Sequence, residues 1–216
     1  MFTTTFDSEL STISHYTHYP SMMPFVGKNY ANTLCKRILL IGESHYLPED
    51  SNASLNAESW YSSNESILRK DEKAWVNTRE ILSCEWDSPG HFIFRELNNR
   101  MTPHVPIHEG RSMNSCAFMN GFQRPSPQTG ESIKSFCTPK DFEESSKTIK
   151  EVILILRPQL VIFTSVLAWR TLGWRVQKEV QDVKMDFVCH PGTGGRYWHK
   201  VKYPNGVNKF VKLVSE

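Results

Sequence analysis

Three short stretches of the chain carry residue types that do chemistry. Gly42-Glu43-Ser44-His45-Tyr46 crowds a carboxylate, a hydroxyl, an imidazole and a phenol behind one glycine. Glycine at such a point lets the backbone approach a ligand closely. The same pentapeptide also reads as a polar turn with its hydrogen bonds satisfied. Asn120-Gly121-Phe122 offers one side-chain acceptor and two donors, a pattern that suits the edge of a nucleobase. An asparagine there also suits a turn or a helix cap. The third stretch, His190-Pro191-Gly192-Thr193-Gly194-Gly195-Arg196, begins with an imidazole able to hydrogen-bond a developing anion. Its glycines then offer a run of backbone N–H groups, and Arg196 adds a guanidinium, which together suit a phosphate. The plainer reading is a loop whose glycines serve turn geometry.

No metal is assigned. His15, His18, His91, His104, His108 and His199 fall into no metal-binding spacing, and Pro103 and Pro106 keep His104 and His108 off one helix face. The cysteines (Cys35, Cys84, Cys116, Cys137, Cys189) are odd in number and never paired at close spacing, so no disulfide framework is expected; Cys116 and Cys189, in apolar runs, read as buried free thiols, and a reducing, cytoplasmic compartment fits.

The three stretches follow short apolar runs, and that defines the elements that must hold them. Arg37–Gly42, Cys116–Met119, Leu160–Thr164 and Phe187–Cys189 read as buried strands. Helical patterns lie between them at Ser66–Leu82, Phe92–Leu97, Asp141–Leu156 and Val166–Val180, with Asp141 as a candidate cap, Pro158 as a stop and Gly173 as a candidate break. Strands alternating with helices predict an α/β fold with a parallel sheet covered on both faces. In such sheets ligands sit outside the carboxyl ends of the strands, where all three stretches fall.

The chain has 216 residues, 39% of them hydrophobic and 22% charged, with a formal net charge of +2. That composition excludes collagenous, low-complexity and strongly disordered classes. The expected organisation is an N-terminal arm, residues 1–35, packed on a single domain of residues 36–216. No secretory leader is read at the start, and Arg157-Pro158 breaks the most apolar stretch, so no membrane partner is expected. Residues 191–216 hold five basic residues against one acid, which is a local basic face or a solvated tail.

The same residues carry a family resemblance. RILLIGESHY, ending at Tyr46, resembles the first strand and motif (usually G-Q-D-P-Y) of the uracil-DNA glycosylase superfamily. Ser88-Pro89-Gly90 before FIFRELNNR looks like its DNA-backbone loop and helix. CAFMN, LVIFTSVLAWRTLG and VCHPG look like its later strands and its final His-containing motif. The order and spacing agree along most of residues 36–199. The resemblance implies a three-layer α/β/α domain with a central four-stranded parallel sheet. It implies DNA repair chemistry without cofactor or metal, in which the N-glycosidic bond of a flipped base is hydrolysed, by a monomer with DNA as partner.

In that scheme Gly42 and Asn120 bind the base, and His190 hydrogen-bonds it as it leaves. Tyr46 fills the space beside C5, and Tyr61, or else Trp60, stacks on the ring. Ser88, Pro89, Gly90, Gly192, Thr193 and Arg196 hold the DNA backbone. Ser44 stands where the family has its water-positioning Asp, and His45 where it has Pro. No apolar wedge follows His190-Pro191. Glu43 either substitutes as the charged group or points to solvent. Three functions are therefore carried: a DNA glycosylase for uracil or a damaged base, a base-binding protein that does not cleave, and a hydrolase using Ser44 with His45 or His190.

Overall fold

Ile38–Gly42 is buried along its whole length because both faces of its sheet are covered. The same holds for Cys116–Met119 and Leu160–Phe163, and such continuous burial requires runs of apolar residues rather than alternation. The computed structural model describes residues 1–107, 109–127, 131–192, 197–200 and 205–216. Its strands are β1 (Phe25–Val26), β2 (Ile38–Gly42), β3 (Cys116–Asn120), β4 (Leu160–Phe163) and β5 (Lys184–Phe187), in the order β1-β3-β2-β4-β5. β3, β2, β4 and β5 are mutually parallel, and β1 is antiparallel to β3.

The sheet is thus five-stranded and mixed, not four-stranded and parallel. The added strand comes from the N-terminal arm, where a two-residue strand behind Pro24 is too short to show a periodicity. The last strand also lies earlier than expected, at Lys184–Phe187 rather than 187–189. As an edge strand it carries charges at Lys184 and Asp186, which pair with Glu216 and Lys209, so it does not read as a buried run.

Helices cover both faces. One face packs on α1 (Asp7–Leu10), α2 (Ser14–His18), α3 (Ala57–Ser62), α7 (Pro139–Leu156) and the segment from α8 (Val166–Ala168) to α9 (Trp174–Glu179). The other packs on α5 (Thr78–Ser83), α6 (Phe92–Met101) and α10 (Val207–Ser215). The pattern expected as one helix over 66–82 is divided into α4 (Lys70–Val76) and α5, because the Asn77 side chain caps the second by accepting from Glu80 N–H at 3.1 Å. In α7 the cap is Thr138, and Asp141 closes the capping box from inside the helix. Gly173 does not break its helix. It ends a π-helical turn, Trp169–Gly173, where a Cβ would lie 2.3 Å from the Trp169 ring.

The arm buries Tyr16, Tyr19, Leu10 and His15 in the core. Burial pushes His15 down to about 3, with the charges of His18 and His45 adding to the effect. Burial also takes His45 down to about 4, against a hydrogen bond with the Trp75 backbone that favours the protonated ring. Both are neutral in the folded protein but take up protons near pH 6.5 once unfolded. The unfolded chain binds more protons below that pH, so stability falls as pH drops from about 6.5 toward 4. Each histidine contributes a slope of up to about 1.4 kcal/mol per pH unit. Thermal denaturation between pH 7 and 5 should show this loss, and His15→Phe should flatten it. A flat profile in the parent protein would refute it.

Candidate active site at the strand ends

Gly42 and Asn120 are register partners on the central parallel pair. Their side-chain directions coincide, so a Cβ at Gly42 would lie 2.4 Å from Asn120 Oδ1. Glycine is required there to leave room for the carboxamide. Beyond the strands the two loops stay zipped together: Phe122 N–H donates to Glu43 O at 2.8 Å, and Ser126 N–H to His45 O at 2.8 Å. This backbone pairing fixes where the first motif points.

Ser44, His45 and Tyr46 all line a cavity of about 580 Å³, which Asn120 lines as well. Phe118, two residues before Asn120 on the same strand face, supplies an aromatic wall. Ser88 and Gly90 close the cavity from the turn before α6, and Trp75 of α4 forms part of the rim. Among the described residues no hydrogen bond engages the Asn120 carboxamide or the buried Ser44 Oγ.

Glu43 turns the other way. Its carboxylate accepts from Ser132 Oγ and Ser165 Oγ, each at 2.6 Å. Its charge still reaches two neighbours. It holds up the His190 pKa, which burial nevertheless carries below the usual value. It also adds to the burial that raises Tyr46. His190 accepts from Gly192 N–H on Nδ1 at 3.1 Å, which assigns the neutral tautomer with its proton on Nε2. Gly192 lies between the His190 ring and Ile93, and Ile93 is part of the cavity wall.

Pro89 and Gly192 meet in a neighbouring depression with Asp87, Phe92 and Arg95. Arg95 is pinned to the turn, donating to the Ser88 carbonyl at 2.8 Å and to that of Trp86. Ser88 Oγ caps the turn by accepting from Gly90 N–H at 3.1 Å. Thr193 and Arg196 lie outside the described residues.

Tyr61 is a correction. Its hydroxyl donates to Asp141 Oδ1 at 3.1 Å, inside the layer on the opposite face of the sheet from Asn120. Trp60 is no closer to the cavity: its indole stacks on Tyr19 at 4.2 Å and donates to the Gln123 carbonyl. Both serve the core because α3 packs on α7. Sequence reasoning missed Phe118, His91 and Trp75. Phe118 was reachable from strand alternation with Asn120, and His91 directly follows Ser88-Pro89-Gly90. Trp75 is 42% exposed, although its place in the helical pattern assigns it to the apolar face.

Comparison with protein-family models and with curated proteins gives no match to this chain. Among the described residues no three His, Cys, Asp or Glu side chains are grouped to hold a metal. No helix among them is long and apolar enough to cross a membrane.

Proposed function

We propose that the protein is a DNA glycosylase that hydrolyses the N-glycosidic bond of a uracil or damaged base flipped out of a strand. The observation that carries this reading is the unengaged Asn120 carboxamide, held beside Ser44, Tyr46 and Phe118 in one cavity at the ends of parallel strands. A carboxamide offers both a donor and an acceptor to the edge of a base. Phe118 offers an apolar wall to its ring.

In the reaction, a water oxygen bonds to the sugar C1′ and the C1′–N bond breaks, its electron pair leaving with the base; the proton the water gives up goes to solvent, and the base anion takes one up from solvent. The His190 Nε2–H hydrogen-bonds the departing base as it gains charge. Ser44 Oγ holds the water. The Glu43 carboxylate supplies negative charge nearby, against the sugar cation. The Ser88–Gly90 turn and Gly192 receive the strand, and the protein acts as a monomer.

The hydrogen-bonded, averted Glu43 favours a second reading, in which the same site binds a base without cleaving it. Single-turnover incubation with strands bearing uracil, hypoxanthine, xanthine or common damaged bases, followed by alkali, separates the two. Cleavage at one of these bases is expected. Asn120→Ala should reduce it about tenfold or more, the cost of leaving one polar edge unpaired. Base-dependent binding without cleavage would select the second reading. Strands bound alike whatever base they carry, with no effect of Asn120→Ala, would refute both.

A further inference from the structure

The helical segment that follows β4 turns one tryptophan in and another out. Trp169 stacks on Phe187, with 5.5 Å between ring centroids. Trp174 is 41% exposed. Two cations lie against its ring: Lys178 Nζ is 4.6 Å from the ring centroid and Arg175 Cζ is 5.0 Å from it. Arg170, about one turn earlier, is exposed as well. Among the described residues, none of Arg170, Arg175 and Lys178 meets a carboxylate at ion-pair distance, whereas Arg69, Arg79, Arg100, Arg111 and Arg124 each do. The adjacent acid, Glu179, is taken by Lys150 at 2.6 Å. Three uncompensated charges and a flat apolar ring therefore share one exposed stretch of helix, in a chain whose formal net charge is only +2.

We propose that this stretch, on the layer opposite the cavity, is a separate contact surface for single-stranded DNA. Charge and shape together select the occupant. Spaced cations attract backbone phosphates, and an exposed indole with cations at its face gives a base something to stack on. An acidic polypeptide would satisfy the charges but leave the indole without a flat partner. The stretch also begins beside the strand ends. α8 is capped by Ser165, whose hydroxyl donates to Glu43 at 2.6 Å, so a strand passing over the sheet ends meets Arg170 first and then Trp174 and Lys178. Binding here requires no particular base and no cleavage, so it stands or falls separately from the function proposed above.

The test is equilibrium binding of the whole chain to an undamaged oligothymidine strand, measured over a range of salt concentrations. Trp174→Ala should weaken binding about tenfold, the loss expected from one stacked base, and Trp174→Phe should recover most of it. Replacing Arg170, Arg175 and Lys178 together by Gln should reduce the slope of log affinity against log salt by about 2, since each phosphate contact on a single strand contributes about 0.7. The triple variant keeps the indole and alters exposed side chains only, so it decides the matter if Trp174→Ala does not fold. No binding to the undamaged strand, or an affinity and salt slope that the variants leave unchanged, would overturn the proposal. Polyglutamate bound through Trp174 in place of DNA would assign the surface to an acidic protein and overturn it too. Base-independent binding that Asn120→Ala leaves unchanged, with these effects of Trp174 and the cations intact, would instead overturn the base-reading function and leave this surface standing.

Discussion

Ser44→Asp is expected to raise base excision by about 10²–10³-fold, because it adds one charged group beside the reacting sugar. Ser44 lines the cavity while its short Oγ is buried and unpartnered, so a longer carboxylate at this position would reach toward that space. A sugar losing its base becomes cationic, and a hydroxyl gives it only a dipole. In a cavity shielded from water a full charge acts through a low dielectric and counts for more. Burial penalises the new carboxylate, so its pKa should lie above the ordinary value and the gain should grow as pH rises through it. Single-turnover rates against pH, on the base that the parent protein handles best, check both statements. A variant that folds but shows no gain would mean that the bound base is not posed for attack at Ser44. Glu43→Gln would then be the next substitution, since Glu43 is the carboxylate whose field reaches His190.

Arg124→Met is expected to cost about 3–5 kcal/mol of stability, the usual consequence of leaving a buried charge without its partner. Arg124 grips Asp141 with two parallel bonds, Nε to Oδ1 at 2.8 Å and Nη2 to Oδ2 at 2.7 Å. Both side chains are almost fully withdrawn from water, at 1% and 0% exposure. The other guanidinium donors go to the carbonyls of Ser54 and Phe136, and Asp141 also accepts from Tyr61 and from Thr138 N–H. One ion pair thereby joins the loop after β3, the segment before α3 and the start of α7. Against a total stability of about 5–15 kcal/mol, the loss should lower the melting temperature by about 10 °C or more. Arg124→Met with Asp141→Leu should recover part of it, because no charge is then stranded, while the lost capping box limits the recovery. A single variant that melts within a degree or two of the parent would refute this account.

The parts legible in the sequence are those set by local pattern. ILLIG, CAFMN and LVIF announce buried strands, and the rule that ligands sit at strand ends leads to Gly42, Ser44, Tyr46 and Asn120. What sequence did not reveal is decided by partners far along the chain. Phe25–Val26 is a strand only because β3 offers an edge. Tyr61 looks like a free aromatic beside a polar turn, and only the fold shows that Asp141 claims its hydroxyl. Asp141 reads as a helix cap; that it also neutralises Arg124 is invisible until the loop after β3 is seen lying over α7. The sequence allows Glu43 two orientations, and Ser132 and Ser165 decide between them.

The antiparallel pairing of Phe25–Val26 with Ala117–Phe118 bears on the order in which the molecule assembles. β3 is apolar and, until β1 arrives, presents a bare edge of N–H and C=O groups to any other chain. Its covering segment is synthesised first, but among the described residues β3 is the one strand it pairs with, so it can find its place only once β3 is present. Contacts between such distant parts of a chain form slowly. During that interval an incomplete molecule is open to capture by a second copy through the same edge. The two-residue strand therefore acts as a stopper that ends this exposure, and the arm that carries it guards each molecule against its own kind.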